Sequence, residues 1–593
     1  MKSVRQAMHL LGHESRGRWV LLIVLALGSS GVEVVGAALV LLLLGLIAGP
    51  EGSVGLPFIG QIGDVFDLSS DSLMIVLATS MAAFFVFRAV VHVGVLYAQN
   101  RVAHNAGARL ARRMVHGYLS MPYAFHLTRT SSDLIRNSHQ AVQQLVTGMF
   151  LPLIRISAES IIVLGMFGFL LVVAPLATVL AVALIGGTAA LLLLTIQPRL
   201  KKIGRVAHQM NRETLNVLQQ SLHGIRDVKV LHRETAFAER YGRARSKLAR
   251  ASYLRATASD LPKTIMELVL LGFILLVFVI SVVAAQPQEG TLSLLGVFAY
   301  AGLRIQPSIQ KIIAGLNSIR YSSAPIDDVS KDLREIEQQE RGPEASNALG
   351  FEQELRVDRV SFCYETAASR ALEEMSFVIK PGQVIGICGA TGAGKTTLVD
   401  IIAGLLQPTS GRISVDGHDL ACHAREWQRN LGVVSQMVFL TDETLAENIA
   451  LGVRRVDIDP DAVWEALRLA QLENFVTSLP DGIDTRVGER GVRVSGGQRQ
   501  RIAIARALYH RPAVLIFDEG TSALDNVTER ELMDALSRLR GDHTILLVAH
   551  RLSTVKLADS IVFLKDGRLA GLGSYPGLLR ENPAFCELAR GSD

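Results

Sequence analysis

Six long apolar stretches in the first 320 residues constrain the fold of this chain more than any other feature of the sequence. A helix needs about 20 apolar residues to cross the hydrocarbon core of a bilayer, which is roughly 30 Å thick. The last stretch is the weakest, because Arg304 and Pro307 interrupt it. The stretches are residues 19–48, 73–98, 145–172, 176–197, 262–285 and 291–310. The sequence therefore predicts an all-α transmembrane domain with six spans within residues 1–320.

The distribution of Lys and Arg predicts the side of the membrane on which each loop lies. Residues 49–72, 173–175 and 286–290 contain neither, whereas residues 99–142 contain six arginines and residues 199–255 are richer still. Positive residues concentrate in cytoplasmic loops, so the two long basic loops and both termini are predicted to be cytoplasmic. We expect a multi-pass protein of the inner (cytoplasmic) membrane.

Two further segments of the first half have patterns typical of amphipathic helices. Residues 1–18 are polar and basic, and the apolar stretch that follows is too long for the core of a cleaved signal peptide. They are predicted to form a helix at the inner membrane surface. In the loop 49–72, apolar residues recur at helical spacing over residues 57–67, which form either a short helix on the outer leaflet or a packed loop.

Ionisable residues within or near the apolar stretches indicate a polar environment in the membrane half. A charge at the centre of a bilayer costs about 2.5–3.5 kcal/mol on insertion scales, so such groups face one another or a cavity. The residues concerned are Glu33, Arg88, His92, Arg155, Glu159, Glu267 and Arg304. They form either interhelical ion pairs or the lining of a pathway that accepts a charged headgroup. Arg88 and Arg304 are the candidate contacts for an anionic substrate.

Composition argues against other classes of partner and site. The excess of five positive charges is modest, and the sequence lacks a platform of basic and aromatic residues, so nucleic-acid binding is not expected. The four cysteines lie in the second half without the spacing of metal ligands, which is typical of a reducing, cytosolic compartment.

A change of composition separates the membrane half from a soluble second half. Residues 321–350 are charged and polar and are predicted to be a linker. Residues 351–593 begin with alternating apolar residues, typical of a strand, and contain no long apolar stretch. We predict an α/β domain over this range.

That domain contains a glycine-rich sequence, Gly-Ala-Thr-Gly-Ala-Gly-Lys-Thr, at residues 389–396. Glycines let the backbone turn tightly and direct N–H groups at phosphate oxygens, while Lys395 adds a positive charge and the Thr396 hydroxyl suits Mg²⁺. The apolar run 384–388 before it is predicted to be a buried strand, and residues 398–403 a helix whose N-terminus faces the phosphates. The pattern predicts a phosphate loop.

Three further sequences follow the phosphate loop in a fixed order. They are the tetrapeptide Ser-Gly-Gly-Gln at residues 495–498, an apolar run that ends in Asp518 and Glu519, and a lone His550. Singly, each is ambiguous, because the first suits any turn before a helix and the second any buried strand end. Together and in this order, they make residues 351–593 resemble the nucleotide-binding domain of ATP-binding cassette (ABC) transporters, which has the P-loop NTPase fold.

The resemblance implies an ATP site. Tyr364 would stack on adenine, and the loop and its neighbours would hold the phosphates. The implied binding residues are Tyr364, Gly389, Ala390, Thr391, Gly392, Ala393, Gly394, Lys395, Thr396, Thr397, Gln436, Ser495, Gly496, Gly497, Gln498 and Asp518. Thr396, Gln436 and Asp518 would supply the oxygen ligands of Mg²⁺.

The resemblance also implies a mechanism for ATP hydrolysis. Lys395 would neutralise phosphate charge, and Glu519 would align the attacking water as general base or polarising group. His550 would hold the γ-phosphate, and Gln436 would connect the metal to movements of the membrane domain. These four are the candidate catalytic residues.

In the resembled family, the Ser-Gly-Gly-Gln turn of one domain covers the ATP of a second domain. A chain with one membrane half and one nucleotide-binding domain must therefore pair, most simply with itself. Six spans with long cytoplasmic extensions resemble the membrane domain of ABC exporters, in which bends such as residues 121–126 and 221–227 dock on the nucleotide-binding domains. ATP binding and hydrolysis would then switch the membrane half between inward-facing and outward-facing shapes.

We expect an ATP-driven exporter or lipid flippase. The sequence of residues 121–137 and the candidate outer helix at residues 57–67 resemble bacterial flippases of lipid-linked oligosaccharides, which are the first expectation for the substrate class. A lipid A-type lipid exporter and a multidrug exporter are the alternatives. A non-transport ABC ATPase is disfavoured by the six spans, and an ATP-gated channel by the intact Glu519.

Overall fold

The computed structural model describes residues 16–47, 70–283, 288–339, 348–365, 367, 369–488, 494–518, 537–549 and 552–590. The chain divides into two compact units, one of residues 1–121 with 126–340 and one of residues 122–125 with 341–593. The first is helical and the second combines helices with two sheets.

Helices occupy the described parts of the six apolar stretches of the first unit. The helices before residue 340 are α1 (Arg16–Ile47), α2 (Ser70–Ser120), α3 (Tyr123–Thr128), α4 (Ser131–Ile135), α5 (Val142–Leu145), α6 (Leu151–Val173), α7 (Pro175–His223), α8 (Ile225–Val230), α9 (Glu234–Val283), α10 (Gln288–Tyr321) and α11 (Ser323–Gln338). Four described segments are long and apolar enough to cross a membrane: Val20–Val40, Ile75–Ser120, Ser131–Val173 and Pro175–His223. Helices α9 and α10 continue through the fifth and sixth predicted spans. The candidate outer helix at residues 57–67 lies outside the described residues.

Helices α6 and α7 are joined by a tight turn. Ala174 is the single residue between them, with φ of −149° and ψ of 83°, and Pro175 begins α7. A proline suits the first position of a helix because that residue needs no N–H donor. The Thr178 hydroxyl donates to the carbonyl oxygens of Leu170, at 2.9 Å, and Ala174, at 2.7 Å. These bonds connect the last turn of α6 to the first turn of α7.

The chain departs from regular α-helix ahead of α6. Two π-helical segments, Arg136–Ala141 and Val146–Phe150, flank the short helix α5. A π-helical turn changes the direction of the side chains that follow it, and such turns are frequent at functional sites. Gly148 lies in the second segment.

The second unit is built on two sheets. Its strands are β1 (Leu355–Phe362), β2 (Leu372–Ile379), β3 (Val384–Gly389), β4 (Ser410–Val415), β5 (His418–Asp419), β6 (Leu431–Val434), β7 (Val514–Asp518), β8 (Thr544–Val548), β9 (Ser560–Lys565) and β10 (Arg568–Gly573). One sheet has the order β2-β1-β4-β5 and is antiparallel. The other has the order β10-β9-β3-β8-β7-β6, and all its pairs except β10 with β9 are parallel.

Helices cover the parallel sheet, whose central strands are therefore buried. The helices of this unit are α12 (Lys395–Ile402), α13 (Leu420–Gln428), α14 (Leu445–Ile449), α15 (Pro460–Leu469), α16 (Glu473–Thr477), α17 (Gly496–Tyr509), α18 (Leu552–Val555), α19 (Tyr575–Glu581) and α20 (Pro583–Arg590). All six residues of β3 are buried, as are all five of β8. The carboxyl ends of β3, β8, β7 and β6 lie along one edge of the sheet, where ligands of such folds bind.

Candidate nucleotide site

The phosphate loop takes the conformation that its glycines predict. Strand β3 ends at Gly389, the loop follows, and α12 begins at Lys395. Gly392 and Gly394 have φ of 84° and 95°, in the left-handed region that favours glycine. A Cβ atom on Gly394 would lie 2.6 Å from the carbonyl oxygen of Ala371, whereas one on Gly392 would meet open space. The loop therefore packs closely at its end and is open at its middle.

Lys395 is buried and its ammonium group is directed into the loop. Nζ donates to the carbonyl oxygens of Gly389, at 2.8 Å, and Ala390, at 3.2 Å. These contacts hold the charge above the turn, where phosphate oxygens would compete with the carbonyls for its protons. The backbone of residues 390–392 is exposed, so an anion has access to this position.

Tyr364 lies beside the phosphate loop. Its hydroxyl is 2.9 Å from the Thr397 hydroxyl, and its ring packs edge-on against Phe362 with centroids 4.9 Å apart. These contacts fix the orientation of the ring next to the start of α12. The structure thus brings Tyr364 to the phosphate loop, and its stacking on adenine stays a prediction.

Two carboxylates, Asp400 and Asp518, lie close enough to repel each other. Asp518 ends β7, and Asp400 lies on α12. Burial, followed by repulsion from Asp518, raises the pKa of Asp400 to about 6. The motif analysis did not select Asp400, although its position five residues after Lys395 on the same helix was visible in the sequence.

The residues predicted to bind Mg²⁺ are consistent with that metal. Thr396 is exposed on the first turn of α12, and Gln436 is exposed two residues beyond β6. Together with Asp518 they supply only oxygen ligands, which Mg²⁺ prefers. The mutual repulsion of Asp400 and Asp518 favours a cation at this edge of the sheet.

The Ser-Gly-Gly-Gln sequence forms the start of α17. The Ser495 hydroxyl accepts from the N–H of Gln498, at 3.2 Å, and the Gln498 side chain accepts from the N–H of Ser495, at 2.8 Å. This capping box satisfies two donors of the first turn. A Cβ atom on Gly496 would meet no atom within 4 Å, so the turn presents an open face.

Two candidate catalytic residues lie outside the described part of the chain. Glu519 follows Asp518 directly, and His550 follows Ala549 directly. Strands β7 and β8 are parallel neighbours, with Asp518 paired to Val548. Asp518 and Val548 therefore lie at the same edge of the sheet as the end of β3, where the phosphate loop begins, and the roles of Glu519 and His550 stay predictions.

In the first unit, the structure brings Arg88 and Arg304 together on one acid. The buried Glu33 on α1 forms ion pairs with Arg88 of α2, at 2.9 Å, and with Arg304 of α10. Two guanidinium groups against one carboxylate leave a net positive charge. The sequence analysis singled out all three residues but did not predict this pairing.

A second cluster lies on α6 and α10. Glu159 is buried and accepts from the Ser308 hydroxyl, at 2.7 Å, and from Lys311. Sequence analysis noted Glu159 but missed both partners, since Lys311 falls beyond the predicted end of the sixth span. The spacing of Ser308 and Lys311, three residues apart, would have placed them on one helix face.

Comparison with known proteins agrees with this geometry. Residues 372–522 match the ABC transporter family, and residues 35–302 match the ABC transporter transmembrane region. An ATP-dependent lipid A-core flippase of Ralstonia nicotianae is 32% identical over 517 residues, which cover 85% of each chain. A protein of the same name from Cupriavidus metallidurans is 32% identical over 501 residues and 83% of each chain.

A solved structure extends the similarity to the fold. A bacterial Atm1-family ABC exporter with ATP bound has a TM-score of 0.77 and 26% sequence identity, and the match covers 95% of this chain and 98% of that one. The predicted fold class is confirmed: a helical membrane domain of the ABC exporter type precedes an α/β nucleotide-binding domain. The chain belongs to the ABC transporter family, as an exporter that couples ATP hydrolysis to transport.

Proposed function

We propose that two copies of this chain form a flippase that uses ATP to move a lipid of the lipid A type across the cytoplasmic membrane. The observation that supports it most is the set of relatives, 30–32% identical over 83–85% of this chain, that are named lipid A-core flippases. They favour this substrate class over the lipid-linked oligosaccharide that the sequence of residues 121–137 suggested. Both substrates are lipids with a polar saccharide headgroup.

In the proposed cycle, Lys395 leaves its loop carbonyls and neutralises phosphate charge of ATP, while the backbone of residues 390–394 binds the remaining oxygens. Mg²⁺, when bound by Thr396, Gln436 and Asp518, supplies further positive charge at the phosphates. Glu519 orients the attacking water, and His550 holds the γ-phosphate.

The pairing of two copies completes the site. The open, capped turn at residues 495–498 of one copy covers the nucleotide held by the phosphate loop of the other. ATP then joins the two domains, and its hydrolysis releases them. This two-state change drives the membrane half between its inward-facing and outward-facing shapes.

The Glu33–Arg88–Arg304 cluster is the proposed contact for the anionic headgroup. Arginine binds phosphate through two parallel N–H donors, and the shared Glu33 satisfies only part of that capacity. A phosphate of the lipid would replace Glu33 as the partner of one arginine. Glu33 would stay paired with the other arginine, so no buried charge would be left unpaired. Arg88 retains 23% of its side-chain surface and Arg304 16%, so both are within reach of a ligand.

Reconstituted flipping tests the proposal. Purified protein in liposomes is expected to move fluorescent lipid A with ATP, and to move neither phosphatidylcholine nor a polyprenyl-pyrophosphate oligosaccharide at a comparable rate. Preferential movement of the polyprenyl-linked lipid would replace the proposed substrate class. Movement of none of the three, by protein that hydrolyses ATP, would contradict the flippase assignment.

The variant Glu519→Gln separates binding from turnover in the same assay. It is expected to bind ATP as the parent does and to lose at least about 100-fold in hydrolysis, because the attacking water loses its carboxylate. Near-normal hydrolysis in this variant would overturn the role of Glu519.

A further inference from the structure

A second polar cavity, separate from the nucleotide site and from the Glu33 cluster, lies within the first unit. It has a volume of about 640 Å³ and is lined by residues of α5, the following π-helical segment, α7, α9 and the junction of α10 with α11. This volume is within the range of small-molecule sites.

Basic side chains line the cavity. Arg245, Arg255 and His208 line it, and no Asp or Glu is among the described residues that do. His208 Nε2 lies 2.9 Å from the Asp328 carboxylate, so that imidazole already has an acidic partner. Arg245 and Arg255, both exposed, provide the positive charge.

The remaining polar residues provide neutral hydrogen-bonding groups. Two amides and five hydroxyl-bearing side chains line the same cavity: Gln144, Asn211, Thr147, Ser252, Tyr253, Tyr321 and Ser322. Asn211 donates to Gln140 at 2.8 Å, which orients its side chain. Neutral amides and hydroxyls beside arginine suit a ligand that carries hydroxyl groups as well as an oxyanion.

Helices approach each other closely at two glycines of the cavity lining. A Cβ atom on Gly148 would lie 2.0 Å from the Ser322 hydroxyl, and one on Gly204 would lie 2.2 Å from the carbonyl oxygen of Tyr321. Gly148 belongs to the π-helical segment Val146–Phe150, which supplies Thr147 to the lining. A non-α turn thus contributes to the lining of the cavity.

Arg255 is held in position by an aromatic ring. Its guanidinium carbon lies 4.5 Å from the centroid of the Tyr321 ring, within the range of a cation–π contact. That contact leaves the edge of the guanidinium group, with its N–H donors, able to bind an oxyanion. Tyr321 and Arg255 both line the cavity.

The position along α9 places the cavity on the cytoplasmic side of the membrane. At a rise of 1.5 Å per residue, Arg255 lies about 10 Å, and Arg245 about 25 Å, before the predicted span that starts at residue 262. The polar layer of a bilayer is roughly 5–8 Å thick on each side, so both arginines face water or a headgroup that extends into it.

We propose that this cavity binds a phosphorylated saccharide, with its phosphate on Arg255 or Arg245 and its hydroxyl groups on the neighbouring amides and hydroxyls. The saccharide is either a soluble sugar phosphate or the headgroup of a phosphorylated lipid. Binding to this cavity requires neither ATP hydrolysis nor transport, so its test is independent of the test of the flippase assignment.

Binding to the full-length protein in detergent, without ATP, tests the site. The probes are glucose 1-phosphate, glucose and phosphatidic acid, and the readout is the shift of the thermal unfolding midpoint with probe concentration. We expect glucose 1-phosphate to raise the midpoint and glucose to leave it unchanged. A shift with phosphatidic acid and none with glucose 1-phosphate would overturn the saccharide and identify a lipid phosphate as the ligand.

The double variant Arg245→Gln, Arg255→Gln is expected to need at least about 10-fold more of the active probe for the same shift. Arg250→Gln is the matched control, because Arg250 lies on the same helix and does not line the cavity. The single variant Arg245→Gln keeps the test valid if loss of the Arg255–Tyr321 contact disturbs folding. An equal response of parent and double variant, or no response to either phosphate probe, would overturn the site.

Discussion

At the scale of single residues, the nucleotide site depends on two glycines in the same loop with different surroundings. Gly392 and Gly394 share a left-handed conformation, but only Gly394 packs against another backbone segment. Replacement of either residue forces a side chain into a conformation that costs about 1–2 kcal/mol. Only at Gly394 does the new Cβ atom also collide with the Ala371 carbonyl, which no flexible side chain can relieve.

The variant Gly394→Ala is therefore expected to lose more stability than Gly392→Ala. We expect a clearly lower thermal unfolding midpoint of the full-length protein for Gly394→Ala, and a smaller decrease for Gly392→Ala. Equal decreases would show that backbone conformation alone determines the cost, and that the close approach to Ala371 contributes nothing.

Asp400 gives the nucleotide-binding domain a defined pH dependence. Its pKa is raised to about 6, so folding favours the protonated carboxyl group. The stability that protonated Asp400 contributes is therefore complete below about pH 4, the ordinary pKa of Asp, and is lost as the pH rises through about 6. Asp400→Asn is expected to stabilise the protein by about 1–2 kcal/mol at pH 7.5 in Mg²⁺-free buffer, with allowance for its partial exposure, and to have little effect at pH 4.

Thermal unfolding at the two pH values measures this difference. Asp416→Asn is a useful contrast. Burial alone would raise the pKa of Asp416, but hydrogen bonds from the backbone N–H groups of residues 352–354 to its carboxylate lower that pKa. That variant should be destabilised at pH 7.5. If Asp400→Asn stabilised the protein equally at both pH values, the raised pKa of Asp400 would be contradicted.

At the scale of secondary-structure elements, the composition of the segment that contains α11 did not reveal its amphipathic helix. The charged segment 321–350 was predicted to be a linker, and its residues Ser323–Gln338 form a helix with Ile326 and Val329 fully buried. Its apolar residues recur every three or four positions, a pattern that high charge content masks in an average over the segment. The buried Asp332 accepts from Asn137, at 2.8 Å, and from Tyr118.

Asp332→Ala is expected to lower the free energy of unfolding by about 2–4 kcal/mol, because it removes the shared acceptor of buried donors. The matched change Asp327→Ala affects an exposed residue of the same helix and should stay within about 0.5 kcal/mol of the parent. Thermal unfolding in detergent measures both. Similar effects of the two changes would show that α11 does not depend on this network.

Long elements of regular pattern were predictable, and local departures from regularity were not. The apolar stretches and the phosphate loop follow from periodicity and from glycine spacing. The π-helical segments around α5 and the pairing of Glu33 with two arginines depend on contacts between distant residues. No window of sequence contains that information, because the partners lie up to 271 residues apart.

At the scale of the whole molecule, the proposed pairing makes one ATP site depend on two chains. Lys395→Ala chains should bind ATP poorly while keeping a normal turn at residues 495–498. When they are mixed with parent chains before reconstitution, each mixed pair retains one intact phosphate loop. Since both sites must close together for a cycle, ATP hydrolysis should fall faster than the fraction of parent chains.

Titration of the mixture measures this dependence. A curve close to the square of the parent fraction supports mutual dependence of the two sites, and a linear decrease would indicate sites that work alone. A strictly monomeric protein that hydrolyses ATP at the full rate would overturn the pairing itself.

The single-residue turn at Ala174 limits how the membrane half can move. Thr178 fastens the end of α6 to the beginning of α7 across this turn, so these two helices cannot spread apart where they join. On the predicted orientation that junction is the extracytoplasmic end. Any increase in the distance between α6 and α7 must then be larger toward the cytoplasm, with Ala174 as the pivot. Probes attached to the ends of α6 and α7 that lie farthest from Ala174 should therefore report the largest separation during turnover.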